Sequence, residues 1–270
     1  MIKTILVPIC HDPGADQRID FAIELALKHH AHIQALHVLT PAREMFKVVP
    51  VQTYSAEIFD QYEKNLLLEA KAYRDKYEKK LNASGVRYDW CQSQGDLVTT
   101  LNHYSRTADI TILTQKESSI YDIMSIMHDF IIESGMPVIV IPSAEVKADF
   151  QNILIAWDGG QHCAKAVHNA LPLLKEAKTV TVLTITQDDK TTIPEADICV
   201  KLVRHGINAE ALTLNDSVKV ETRILKTAQS LEADLIIAGA WGHRRIREII
   251  FGGVTKTLLS NQKYPLFLSH

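Results

Sequence analysis

Gly239, Gly242, Gly252 and Gly253 stand in the spacing G-x2-G-x9-G-G, with His243, Arg244, Arg245 and Arg247 between the two pairs. Glycines let an anion approach the backbone closely, amide N–H groups at a helix start point at it, and guanidinium forks grip phosphate oxygens in pairs. The apolar spacing that follows predicts a helix over Val254–Ser260, with Thr255 adding a hydroxyl to its first turn. Asp158, followed by Gly159 and Gly160, is the second candidate. A carboxylate at a strand end can hold a ribose hydroxyl or a phosphate-bound divalent cation, or simply cap a helix that begins near Gln161.

These residues need elements to position them, and an internal repeat supplies the plan. KTILVPIC from Lys3 reads against QNILIAWD from Gln151, and Ile19, Ala22 and Leu25 fall on Val167, Ala170 and Leu173 along a helical seam. LHVLT at Leu36 matches LTITQ at Leu183, ADITIL at Ala108 matches ADLIIA at Ala233, and MPVIVIP matches YPLFLSH. The first copy carries a longer middle, Pro41 to Ser84, in which Leu66, Leu67, Ala70, Tyr73 and Tyr77 have helical spacing up to Gly85. PSAEVKADFQ reads as a polar, strand-free linker, so the domains expected are 1–147 and 148–270.

In the second copy, strands are expected at Ile153–Trp157, Val180–Thr186, Asn208–Thr213, Leu235–Gly239 and Pro265–Leu268, separated by helical patterns. Such alternation implies an α/β fold: a five-stranded, doubly wound parallel sheet in each copy, its strands near-continuously apolar because both faces are covered. Ligands of such sheets bind beyond the carboxyl ends of the strands where the strand order reverses, so functional residues should follow strands one and four. Asp158 and Gly239 do.

Composition narrows the function. The 270 residues are 46% hydrophobic and 23% charged, which excludes a mainly disordered, collagenous or coiled-coil chain. With 29 Lys+Arg against 32 Asp+Glu the formal net charge is −3, so no global field recruits nucleic acid or an anionic membrane, and phosphate binding must be local. No apolar run is long enough to span a bilayer, the opening MIKTILVPICHDPG reads as a strand rather than a targeting segment, and the four cysteines form no Cys-x-x-Cys. A cytoplasmic protein is expected.

The second copy resembles a universal stress protein domain of the ATP-binding type, on the G-x2-G-x9-G array, Asp158 and the terminal strand, and the likeness covers the whole chain once per copy. It implies two tandem Rossmann-like domains paired through their last strands and adjoining helices as an intramolecular pseudo-dimer. It also implies ATP, or AMP or ADP, with or without Mg, as ligand. Gly239, Gly242, Gly252, Gly253, Val254 and Thr255 would cradle phosphates, His243 and Arg244 would add charge, Asp158 would meet ribose or metal, and Ile185 would offer backbone to adenine. Gly253 departs from the family, which places Ser or Thr there, and removes one hydroxyl. In the first copy Thr114, Glu117 and Cys10 replace Gly239, Gly242 and Asp158, so nucleotide binding is not expected there.

Weaker signals remain. His29, His30, His32 and His37 are explained mainly by a helix C-terminus, and Cys10, His11 and Asp12 form a possible metal-ligand cluster in the degenerate crevice. The chain lacks G-x-x-x-x-G-K-[ST], H-E-x-x-H, G-x-S-x-G and the His-x-Gly-His and Ser-Gly-Gly-x-Asp-Ser motifs of adenylylating relatives, so at most slow ATP hydrolysis is expected. The reading is a stress-response switch or sensor that binds an adenine nucleotide in its second domain, with an unidentified protein partner or a further homodimer left open. Its alternatives are an interaction protein that binds no nucleotide and an adenylyl-transfer enzyme.

Overall fold

The computed structural model describes residues 1–10, 12–45, 56–115, 123–186, 195–215, 218–241, 253–261 and 263–270. The chain forms two compact units, Ile2–Ile112 and Leu113–His270, the latter joined by Met1. The division falls inside a strand of the first sequence copy rather than at the repeat boundary near residue 147.

The first unit contains β1 (Thr4–Ile9), α1 (Ala15–His29), β2 (His32–Leu39), α2 (Ala42–Met45), α3 (Ala56–Ser84), β3 (Arg87–Gln94), α4 (Leu97–Ser105) and most of β4 (Ile110–Thr114). Its strands run parallel in the order β3-β2-β1-β4. Helix α1 buries Ile19, Ala22 and Leu25, the seam expected from the repeat, and Ala26 besides, and ends where His30 turns left-handed at φ 50°. Helix α3 realises the extra segment of the first copy and buries Ala70, Tyr77 and Leu81.

The second unit contains α5 (Ile123–Ser134), β5 (Val138–Ile141), β6 (Asn152–Ala156), α6 (Gln161–Asn169), α7 (Leu171–Leu174), β7 (Thr179–Thr186), α8 (Glu195–Arg204), β8 (Ala209–Asn215), α9 (Val220–Ser230), β9 (Leu235–Gly239), α10 (Gly253–Ser260) and β10 (Leu266–Ser269). Its strand order is β5-β10-β9-β6-β7-β8. Every pair among β6 to β10 is parallel, whereas β5 meets β10 antiparallel with Phe267 opposite Ile139. The last strands of the two copies therefore pair, as the resemblance implies. The order reverses between β6 and β9, the first and fourth strands of the copy, where the site was expected.

Burial follows the apolar runs. Leu154, Ile155, Leu235, Ile236 and Ile237 are fully buried, and each such side chain contributes roughly 1.5–3 kcal/mol on leaving water. The edge strands differ from the expectation of two covered faces: β3 and β8 alternate between exposed and half-buried positions. An edge strand has one sheet neighbour and partial helix cover, so its outer face stays wet. Residues 142–151 hold no helix or strand, yet Ala148 and Phe150 are buried, so the linker is packed down rather than merely polar.

One repeated device sits at the amino ends of the strands. Asp109 accepts from the backbone N–H groups of Lys3 and Thr4 at 2.6 and 2.9 Å, and its counterpart Asp234 accepts from Gln151 and Asn152 at 2.7 and 3.0 Å. Both carboxylates fasten the start of the first strand of a copy, far from the carboxyl ends where ligands bind. Burial raises Asp234 above the usual carboxylate range, although these backbone bonds pull it down.

Candidate functional site

Strand β6 leaves the sheet at Ala156, and Trp157 N–H donates to Leu183 O at 2.8 Å. Asp158 then opens a turn that Gly159 makes at φ 71°, a left-handed conformation available to glycine at little cost. The Asp158 carboxylate accepts from Gly160 N–H at 2.8 Å, and α6 starts at the next residue without a side-chain cap. Asp158 thus shapes the turn rather than capping the helix, and it is exposed at the carboxyl end of the sheet. Strand β7 outruns β6, since their register stops at Ala156 opposite Leu183 while Ile185 lies farther along, half-buried and paired with Leu214 of β8.

Strand β9 ends at Gly239, which has a packing reason of its own. A Cβ there would stand 2.6 Å from the backbone nitrogen of Cys163 and 3.0 Å from the carbonyl carbon of His162, so glycine is what lets α6 lie against β9. Beyond it Ala240 N–H donates to Ser269 O at 2.9 Å, and His270 Nδ1 donates to Ala240 O at 2.8 Å. Trp241 then takes the left-handed φ of 50° and donates its N–H to Thr255 Oγ1 at 3.4 Å. Thr255 is buried in the first turn of α10, Val254 is half-buried, and Gly253 is exposed with open space where a Cβ would go. The structure therefore joins the end of β9 to the start of α10. Gly242, His243, Arg244 and Gly252 lie outside the described residues, as do Arg245 and Arg247.

A basic cluster beside this turn was not read from the sequence. The His162 and His270 rings stack at 4.1 Å with a 19° interplanar angle, and Lys165 Nζ donates to His270 O at 2.7 Å. Burial, then His270 and Lys165, push His162 below the ordinary imidazole value, against the pull of Asp158. The position of His162 just after the Asp158 turn was the one available signal, and nothing local announced His270.

The first copy commits the described residues at its strand ends to one another. At the end of β1, the buried Arg18 donates through Nε to Pro8 O at 2.8 Å and pairs with Asp12 at 2.7 Å. Burial pushes the Cys10 thiol up to about 11, with Arg18 opposing. His37 Nδ1 donates to Ile9 O at 2.7 Å while its ring lies against Tyr73 and Trp90, and burial holds it below the ordinary imidazole value. Helix α3 is tied to the chain just beyond β2: Tyr62 OH donates to Thr40 O and the Glu63 carboxylate accepts from Ala42 N–H, both at 3.0 Å. His11 and Glu117 lie outside the described residues, among which no group of three or more His, Cys, Asp or Glu could hold a metal.

This is a doubly wound α/β protein, and in its second unit β6 ends at the turn of Asp158 and β9 at the junction with α10. The family model described as universal stress protein family matches residues 1–141 and 203–270, and the chain belongs to that family. A crystal structure of a universal stress protein from Archaeoglobus fulgidus DSM 4304 superposes with a TM-score of 0.77 at 16% identity, covering 98% of this chain and 95% of that one. A putative universal stress protein from Pseudomonas aeruginosa UCBPP-PA14 gives 0.62 at 14% identity, covering 99% and 93%. At these identities the likeness establishes the fold. Among curated proteins, none matches the sequence. No described helix is long and apolar enough to cross a membrane.

Proposed function

We propose that the second copy binds ATP or a related adenine nucleotide and acts in the cytoplasm as a switch or sensor, with the first copy as its structural partner. The observation that carries this reading is the strand-order reversal between β6 and β9, with Asp158 following one strand and the Trp241–Thr255 link following the other. Asp158 would accept from ribose hydroxyls, or hold a divalent ion on the phosphates, and Ile185 would offer backbone to adenine where β7 outruns β6. The amide groups of Gly253, Val254 and Thr255 would face phosphate at the start of α10, with Gly239, Gly242 and Gly252 keeping the backbone clear and His243 and Arg244 supplying charge. The Arg18–Asp12 pair at the end of β1 and the tie of α3 to Thr40 beyond β2 support a single site per chain.

Native mass spectrometry of the freshly purified protein, followed by calorimetry with Mg-ATP, tests this. One nucleotide per chain is expected, together with loss of binding in Gly242→Glu, which imports the residue of the first copy. A second reading, an interaction protein without nucleotide, draws on the packing duties already held by Gly239 and Thr255. Absence of both a mass shift and heat at millimolar ATP would favour that alternative.

A further inference from the structure

We propose that Trp241 is a positioning residue through which helix α5, an element of the first copy, sets the phosphate turn of the second; this rests on the nucleotide reading above. Trp241 immediately precedes Gly242 and is the third residue of the G-x2-G spacing. Its φ of 50° is left-handed, a conformation that a bulky side chain keeps only where its surroundings over-determine it. Two contacts hold it, one on the backbone and one on the side chain. On the backbone side Thr255 Oγ1 accepts from Trp241 N–H at 3.4 Å, fastening the turn to α10. On the side-chain side the indole meets the His128 imidazole edge to face, with centroids 4.7 Å apart and planes at 81°.

His128 belongs to α5, and it is itself oriented by Nδ1, 3.0 Å from the Asp129 carboxylate. The indole packs against the His128 ring. A T-shaped ring pair is directional, so the α5 side of the contact selects one orientation of Trp241 and with it the backbone angle that leads into Gly242. The first copy thereby has a specific route to the second copy's nucleotide site.

The test uses the full-length chain with Trp90→Phe and Trp157→Phe, which leaves Trp241 as the sole tryptophan. Mg-ATP should change its emission. His128→Ala should weaken ATP roughly three- to tenfold, Trp241→Ala at least as much, and Trp241→Phe, which keeps an aromatic edge, should stay within about twofold of the parent. A purely structural role would not distinguish Phe from Ala in affinity while both retained the parental melting temperature. Should the parent bind ATP while His128→Ala and Trp241→Ala bind it equally well and emission stays constant, the positioning role is wrong and the nucleotide site stands. A parent that binds no nucleotide overturns the site and the positioning role together.

Discussion

The backbone nitrogen of Cys163 lies 2.6 Å from where a Cβ on Gly239 would stand, so the first turn of α6 occupies the space that any other residue at the end of β9 would need. A glycine that reads as clearance for a ligand is also clearance for a helix. Because backbone rather than a flexible side chain is in the way, relief requires α6 to move off the sheet.

Gly239→Ala should therefore destabilise the second unit by about 1–3 kcal/mol, the usual range for an overpacked site. Gly253→Ala, where a Cβ meets open space, should stay within about 1 kcal/mol of the parent. Urea unfolding followed by circular dichroism measures both. Equal midpoints for the two variants would remove the packing account of Gly239.

Cys163 provides a pH signature. It is fully buried, and burial pushes its thiol from 9.0 up to about 12. Between those values the unfolded chain has lost the proton that the folded chain keeps, so stability falls as pH rises through that window, by at most about 1.4 kcal/mol per unit. Below pH 9 this contribution is constant. Cys163→Ala should flatten the alkaline part of a stability profile measured at pH 8, 9 and 10, and a thiol reagent at pH 8 should reach Cys163 only after unfolding.

Arg18 places a buried charge in the first unit. Its guanidinium is buried against Asp12, and removing one member of such a pair leaves the other charge uncompensated. Asp12→Ala should cost about 3–5 kcal/mol, whereas the joint change Asp12→Ala with Arg18→Met should recover much of it. Thermal melts of both variants decide the matter, and identical melting temperatures would show that the pair is not coupled.

Asp158 and Gly253 separate the nucleotide site from the fold. Asp158→Asn keeps an oxygen for Gly160 N–H but drops the charge, so ATP should weaken about tenfold or more with unchanged stability. Gly253→Ser adds a hydroxyl to the first turn of α10 without steric conflict and should tighten ATP several-fold. Calorimetry on both variants reads the result, and parental affinity in each would place the ligand elsewhere.

Much of this architecture was legible in the sequence because it is local and repeated. The β-branched runs located β6, β7, β9 and β10 to within about one residue, the seam of Ile19, Ala22 and Leu25 foretold α1, and the strand ends at Asp158 and Gly239 fell beside the reversal of strand order. The alternation of β3 and β8 was not anticipated, since a strand's place at the edge depends on which neighbours the rest of the chain supplies. Nor was the docking of α3 through Tyr62 and Glu63 onto the chain beyond β2, because periodicity locates a helix without saying where it docks.

The sequence by itself determined the repeat, the α/β class, the identity of the elements and the chemical types gathered at the strand ends, because these follow from spacing along the chain and from each residue's conformational preferences. Tertiary structure alone decided that Gly239 accommodates α6, that His270 stacks on His162, that Asp12 is committed to Arg18 and that Trp241 meets His128. Each of these relations joins different elements, and for all but the Asp12–Arg18 pair the partners are far apart in sequence. Their meeting depends on how apolar faces pack, a property that no single stretch of residues carries.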